Sequence, residues 1–297
     1  MRIARATAGV RVPATSGNLG PGFDCLGLAH NVWDEVHVRL TTGATRVHIL
    51  GEGRGTLPAD DSHLIVRAMR RGFDAAGLPQ AGIELNCRNG IAQGRGLGSS
   101  AAAVVAGLML VRGLVDEPEL FNDDAVLRLA TEFEGHPDNA GAAVWGGAIL
   151  AWLDGERVEL IRLRPVEGLR CLAFVPDLEV RTEGARAVLP DMVPRRDAVA
   201  QAVAAASLPL ALEQRPDLLL SATRDRLHQF QRAELMPASW SLLRRLRRVG
   251  VPATISGAGP TVFAIGLEDQ LAKADSLGHE GFQRHDLVPG GGVQLVD

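Results

Sequence analysis

The sequence predicts an α+β protein of two domains, and three features carry that expectation. Segments with the two-residue period of strands and segments with the 3.6-residue period of helices both occur, but not in strict strand–helix alternation, which favours two α+β layers over a doubly wound sheet. The 297 residues suffice for one or two domains of about 100–200 residues each. No heptad, internal repeat or low-complexity linker interrupts the pattern. The expected division is residues 1–155 and 156–297.

Residues 3–12 open the chain as a short strand that breaks at Pro13, residues 33–40 alternate with Val36, Val38 and Leu40 on one face, and residues 45–50 continue in β-rich residues. Residues 62–76 carry Leu64, Ile65, Ala68, Met69 and Phe73 at helical spacing and stop at Gly77. Residues 83–87 read as a strand, 89–98 as turns, 99–111 as a buried helix too alanine-rich for a strand, 123–134 as a helix, and 135–147 as a glycine-broken loop. In the second half, residues 149–152, 158–162 and 170–176 read as strands, and 181–189, 196–214, 216–226 and 239–249 as helices. Two strands, 251–256 and 260–266, flank a glycine turn, followed by a helix at 268–277 and a last strand within 290–296.

Composition removes several classes of function. Hydrophobic residues make up 46% and charged residues 22%, with a net charge of -4, which fits a soluble globular protein and gives no attraction to nucleic acid or an anionic membrane. No stretch nears the about 18 apolar residues that span a bilayer, and Arg2, Arg5 and Arg11 interrupt the start where a signal peptide would place its apolar run, so the expected compartment is the cytosol. Cys25, Cys87 and Cys171 are far apart and odd in number, which speaks for reduced thiols and against a disulfide framework or a zinc site. Lys273 is the only lysine. A P-loop NTPase sets a lysine on the phosphates, so any ATP site in this chain uses another scheme.

Three glycine-rich segments and one charged segment carry chemistry. Gly94-Arg-Gly-Leu-Gly-Ser-Ser-Ala-Ala-Ala103 runs glycines into two serines and then a helix. A helix N-terminus offers unpaired N–H groups and the positive end of the macrodipole, and small residues let phosphate oxygens approach. Pro13-Ala-Thr-Ser-Gly-Asn-Leu-Gly-Pro-Gly-Phe-Asp-Cys-Leu-Gly27 is a long loop with two fixed polar groups, Asn18 and Asp24. Ile255-Ser-Gly-Ala-Gly-Pro-Thr-Val262 is a tight turn between strands, and Glu132-Phe-Glu-Gly-His-Pro-Asp-Asn139 packs four ionisable groups and an amide into eight positions. Taken singly, each also has an ordinary structural reading: a serine-capped helix, a loop, a β-turn, a charged surface segment.

Together, and in this order, the segments resemble the GHMP kinases, with the motifs spread from residue 13 to residue 262. The resemblance implies a two-domain fold, its N-terminal half like domain 2 of ribosomal protein S5 and its C-terminal half a ferredoxin-like α/β layer. Asn18-Leu-Gly-Pro-Gly-Phe-Asp24 and Glu134-Gly-His-Pro-Asp-Asn139 look like the branch that phosphorylates L-homoserine with ATP and Mg²⁺, a step of threonine biosynthesis. By that resemblance Ala92, Gln93, Gly94, Arg95, Gly96, Leu97, Gly98, Ser99, Ser100, Ala101 and Ala102 bind ATP, with Gly257 and Gly259 beside the phosphates and His63 at the adenine. Ser100 and Glu132 hold Mg²⁺, with Glu134 as local competitor. Asn18, Asp24, His136, Asn139, Arg186 and Arg232 bind the substrate, the two arginines on its carboxylate and Asp24 on its ammonium. Asn139, Asn18 and Asp24 act in catalysis, Asn139 orienting the hydroxyl, and Asp138 is not an essential base. Two departures stand out: Ala92 in place of the family's usual proline, and His63 in place of an asparagine. A mevalonate-type kinase and a non-catalytic ligand sensor are the alternatives, and assembly as a homodimer is left open.

Overall fold

The computed structural model describes residues 1–296 and contains two sheets. The first half supplies β1 (Thr7–Gly17), β2 (Leu26–Thr41), β3 (Arg46–Gly51), α1 (Leu64–Ala75), β4 (Gly82–Asn89), α2 (Ser99–Leu114), α3 (Asp123–Glu134), α4 (Asp138–Trp145), β5 (Ala148–Asp154) and β6 (Arg157–Leu163). The second half supplies β7 (Arg170–Pro176), α5 (Thr182–Ala187), α6 (Arg195–Glu213), α7 (Leu219–Ala222), α8 (Pro237–Arg248), β8 (Ala253–Ile255), β9 (Val262–Gly266), α9 (Glu268–Leu271), β10 (Phe282–Leu287) and β11 (Gln294–Val296). The two-domain α+β architecture expected from the sequence is present.

The larger sheet runs β11-β1-β2-β4-β3, with β5 paired to the start of β2 and β6 to β5. Only β3 and β4 run parallel. The smaller sheet, β10-β7-β9-β8, is antiparallel throughout. The hairpin β5–β6 keeps the chain in the larger sheet to Leu163, and β11 returns to pair with β1, so the division expected at residue 155 cuts through a hairpin. The sheets divide the chain between Leu163 and Arg170.

The apolar helix α2 lies against β1 and between α1 and α3. Val104, Val105, Leu108, Leu110 and Val111 are fully buried, which explains an apolar helix without a polar face. One core cluster joins these residues to Ala173, Val175, Phe263 and Ile265 of the smaller sheet. A second cluster, built on Leu242, Leu243 and Leu246 of α8, covers that sheet's other face. No helix among the described residues is long and apolar enough to cross a membrane.

Several local expectations change. Residues 135–147 contain the helix α4. The strand at 3–12 passes through Pro13 to Gly17, with an irregularity between Pro13 and Thr15 where the ladder loses a donor. The long loop at 13–27 is consequently a strand end, a turn of about eight residues and a strand start. Residues 216–226 and 268–277 hold only short α segments beside 3₁₀ turns, and β10 was not expected at all.

Candidate active site

The three glycine-rich segments converge on one cleft. After Gly17 the chain turns through Asn18, Leu19 and Asp24, which alone among the described non-glycine residues have positive φ (67°, 47° and 61°). Asparagine and aspartate tolerate that conformation, whereas a leucine pays about 1–2 kcal/mol for it. Leu19 is 1% exposed, so burial offsets the strain. Asn18 braces the turn: its Oδ1 accepts from the Asp24 N–H (2.9 Å) and its Nδ2 donates to Gly257 O (2.9 Å).

The glycine loop before α2 is pinned from both sides. Gly98, at φ 69°, caps α2 with no side-chain help, and a Cβ there would lie 1.9 Å from Thr15 Oγ1. A Cβ on Gly96, at φ 80°, would meet Ser256 O at 2.4 Å. Both positions therefore require glycine for conformation and for space. Ser256 Oγ donates to Gly96 O (2.5 Å), Thr261 Oγ1 to Arg95 O (2.6 Å), and Thr15 N to Leu97 O (3.0 Å). The first and third motifs thus hold the second so that the α2 N-terminus opens into the cleft, a ready anion site.

The opposite wall is charged. Glu134 ends α3, Gly135 turns the chain at φ 79°, and α4 begins at Asp138. Glu134 Oε1 accepts from Ser100 Oγ at 2.6 Å. Burial pushes the Glu134 carboxyl above its ordinary range, and the serine hydroxyl opposes this only in part. His136 Nδ1 lies 2.5 Å from Asp138 Oδ1. Burial alone would disfavour the imidazolium, but the Asp138 carboxylate outweighs it and holds His136 above the ordinary histidine range. The same Asp138 oxygen accepts from Asn139 N (2.7 Å) and Asn139 Nδ2 (3.2 Å), while Asn139 Oδ1 accepts from Thr15 Oγ1 (2.9 Å). Asp138 Oδ2 is buried with no partner.

Across the cleft, Arg186 of α5 makes a two-point ion pair with Asp24 (Nη1–Oδ2 3.0 Å, Nη2–Oδ1 2.7 Å). Arg232, 2% exposed, donates from Nε to Ala185 O (2.8 Å), and its Nη1 lies 3.1 Å from His228 Nδ1. Burial, then the neighbouring Arg186, lowers Arg232 to about 10, so it stays charged near neutrality. The Phe23 ring centre is 5.5 Å from both guanidinium carbons.

Asn18, Asp24, Gly94, Gly96, Gly98, Ser99, Ser100, Ala101, His136, Asn139, Arg186, Arg232, Gly257 and Gly259 all line this cleft. Others do not. Glu132 points away and pairs with Arg71 (2.8 Å) and Arg128 (3.0 Å) on the outer face of α3. Position 132 lies about 200° around the helix from position 134, so the two carboxylates cannot share a face, and Glu134 takes the place beside Ser100. His63 is 3% exposed and caps α1, its Nδ1 accepting from Ile65 N at 3.3 Å, outside the cleft. Gln93 donates to Ile91 O, and Ala102 is buried in α2. Ala92, Arg95 and Leu97 face a separate cavity of about 310 Å³ between the sheets, where Arg95 binds Pro176 O and Asp177. Phe23, Val180, Thr182 and Ala258 line the cleft without having been expected. Phe23 and Ala258 sit inside the first and third glycine-rich segments, whereas Val180 and Thr182 lie outside all of them.

Comparison with known proteins gives a consistent result. The family described as GHMP kinases N terminal domain matches residues 63–147, and GHMP kinases C terminal matches residues 207–279. The homoserine kinase of Streptomyces avermitilis is 48% identical over 283 residues, covering 95% of this chain and 93% of that protein. The homoserine kinase of Cutibacterium acnes is 50% identical over 289 residues, covering 96% and 98%. The crystal structure of homoserine kinase from Cytophaga hutchinsonii superposes with a TM-score of 0.85 at 26% identity over 99% of this chain and 98% of that one. Mevalonate diphosphate decarboxylase from Staphylococcus aureus shares the fold, with a TM-score of 0.70 at 13% identity over 98% of each chain.

Proposed function

The chain belongs to the GHMP kinases, and we propose that it transfers the γ-phosphoryl group of ATP to the side-chain hydroxyl of L-homoserine in the cytosol, giving O-phospho-L-homoserine. One observation carries this reading: an aspartate and two arginines, Asp24, Arg186 and Arg232, face a glycine-lined helix N-terminus across a single cleft. A zwitterion with a free hydroxyl fits that arrangement. Its carboxylate suits the arginine forks, and its ammonium suits Asp24. Arg186 is paired with Asp24 in the structure, so a substrate carboxylate that takes Arg186 must bring a cation for Asp24, which the homoserine ammonium supplies and a mevalonate-like acid lacks.

The residues of the cleft divide the work. The α2 N-terminus and the loop at Gly94, Gly96 and Gly98 hold the phosphates. Ser100 Oγ and Glu134 Oε1 are hard oxygen donors 2.6 Å apart, and they fit Mg²⁺, which keeps few protein ligands and takes the rest from phosphate and water. Bound there, Mg²⁺ would neutralise charge on the transferring phosphoryl group. Asp138 Oδ1 is engaged by His136 and Asn139, while its Oδ2 has no partner and the residue lines the cleft; we read it as a positioning residue. Asn139, held by Asp138 and Thr15, keeps one Nδ2 hydrogen to orient the substrate hydroxyl. A loose transition state acidifies that hydroxyl late, so no side chain need take the proton early.

The test is a coupled ADP-release assay with Mg²⁺ over L-homoserine, L-serine, L-threonine, mevalonate, galactose and shikimate. Homoserine should be strongly preferred. L-Serine lacks one methylene, so its hydroxyl falls short of the phosphate. A preference for mevalonate would refute the assignment.

A further inference from the structure

Three short contacts join a buried histidine to the phosphate loop. His30 lies on β2, where His30, Asn31 and Val32 face Ala14 alone between the pairs Thr15–Ala29 and Pro13–Trp33. Its side chain is fully buried, with the Phe263 ring centre 5.0 Å away. His30 Nε2 lies 2.8 Å from Ser16 Oγ, Ser16 Oγ lies 2.6 Å from Ser256 Oγ, and Ser256 Oγ lies 2.5 Å from Gly96 O. Ser16 and Ser256 are buried as well. The two serines and the glycine belong to the three glycine-rich segments, whereas the histidine lies outside all of them.

The hydrogens are placed by elimination. Gly96 O is a carbonyl and only accepts, so the single hydroxyl hydrogen of Ser256 goes there. The contact between the serines then takes the Ser16 hydrogen, and Ser16 Oγ has none left for the ring. His30 must donate from Nε2, and its Nδ1, buried with no partner among the described residues, carries a bare lone pair. Burial keeps the ring neutral, as this arrangement requires, because an imidazolium would put a second hydrogen on Nδ1, where nothing accepts it. We propose that His30 is a positioning residue for ATP: through the one-way chain from His30 to Ser16 to Ser256 to Gly96 O, it fixes the orientation of the Gly96–Leu97 peptide in the phosphate loop. In a trans peptide the N–H points opposite to the C=O, so holding Gly96 O on Ser256 also sets the direction of the Leu97 N–H. The inference rests on the kinase reading for the identity of the loop's ligand. An apolar residue at position 30 would fill the space beside Phe263, but it would leave Ser16 Oγ short of a donor and free to turn away from Ser256.

Two measurements on the full chain test this. With ¹⁵N-labelled histidine, NMR near neutral pH should show the His30 ring, identified by its loss in His30→Gln, with its hydrogen on Nε2 and none on Nδ1. Calorimetry with the β,γ-imido analogue of ATP and Mg²⁺, without homoserine, should show His30→Leu and Ser16→Ala each binding about tenfold more weakly than the wild type, the scale of one hydrogen bond. The double variant should bind no more weakly than either single one, because both cut the same chain. His30→Gln, whose amide donates from nearly the place of Nε2, should bind within about threefold of the wild type. The KM for homoserine in His30→Leu should be little changed. A hydrogen on Nδ1 overturns the proposal, and so does a folded His30→Leu that binds like the wild type or a His30→Gln as weak as His30→Leu. If His30→Leu does not fold, Ser16→Ala and His30→Gln carry the comparison. A wild type that binds no nucleotide overturns the kinase reading and this proposal with it, whereas a wild type and variants that bind equally overturn only the chain from His30.

Discussion

Gly17→Ala tests whether the placement of Asn139 governs turnover. Gly17 ends β1 over the start of α4, and a Cβ there would lie 2.5 Å from both Asn139 Nδ2 and Asp138 Oδ2. Ordinary contact begins near 3.4 Å, so the neighbours must retreat by roughly 0.9 Å. They have little room. Asp138 Oδ1 is held by the His136 ring, the Asn139 N–H and the Asn139 side chain, and Asn139 Oδ1 by Thr15. The α4 backbone is pressed from another direction as well, since a Cβ on Gly27 would come within 2.2 Å of Asp138 O. Overpacking of this kind costs about 1–3 kcal/mol of stability. A displacement near 1 Å of an orienting group costs about 10²-fold in rate. The expected result is a folded enzyme with kcat for homoserine down about a hundredfold and the KM for ATP little changed. The assay is steady-state ADP release, with circular dichroism and a thermal melt to establish folding. A folded Gly17→Ala enzyme retaining kcat within about threefold of the parent would refute the idea that Asn139 must sit where it does.

Asp138→Asn should keep activity within about tenfold, short of the 10²–10⁴-fold expected for loss of a general base, and Asn139→Ala should be the worse of the two; a three-decade loss in Asp138→Asn would make the aspartate the base. Glu134→Gln should cripple Mg²⁺-dependent turnover, whereas Glu132→Gln, which breaks only half-exposed pairs, should stay near normal and lose at most about 1 kcal/mol in urea unfolding. Arg186→Ala and Arg232→Ala should each raise the KM for homoserine by about one to two decades with little change for ATP, and equal damage to both constants would point to folding instead. Burial lowers the His30 imidazole to about 3, so the native state refuses a proton that the unfolded chain accepts below its ordinary value near 6.5. Stability should therefore fall as pH drops from about 6.5 toward 3, and the urea midpoint should shift less between pH 7 and pH 5 in His30→Gln than in the wild type.

What could be read from the sequence follows from what the chemistry demands of the backbone. Gly94, Gly96 and Gly98 stood out because a phosphate-binding loop needs positive φ and no Cβ, and those needs are written directly as residue type. Asp24, Arg186 and Arg232 come from distant positions, and only the motifs of a known family brought them together in advance. Glu132 and Glu134 differ by helical phase alone, which local sequence does not rank when the adjoining Gly135 obscures where α3 ends. The helix α4 was hidden because Gly141 and the flanking Gly135, Gly146 and Gly147 read as breakers. Burial overrides that propensity, since Ala140, Ala142, Ala143 and Val144 are all within the core. Gly141 is small for packing, because a Cβ there would touch Leu160 at 3.0 Å and Ile149 at 3.3 Å. Strand β10 was missed because Gln283, Arg284, His285 and Asp286 give no apolar alternation, and its pairing with β7 supplies what local preference does not.

The return of β11 to β1 makes the smaller sheet and its helices an insertion within the larger domain. The chain leaves the first sheet after Leu163 and re-enters it along a segment fixed by Gly147 N to Gly290 O, Gly290 N to Ala29 O and Val293 N to Ala143 O, each 2.8 Å. The two lobes that face each other across the cleft are therefore tied by two covalent crossings. Beyond those crossings the lobes share the core in which Ala173, Val175, Phe263 and Ile265 meet α2. Chain connection and packed core together hold the wall that carries Arg186 and Arg232 opposite the α2 N-terminus.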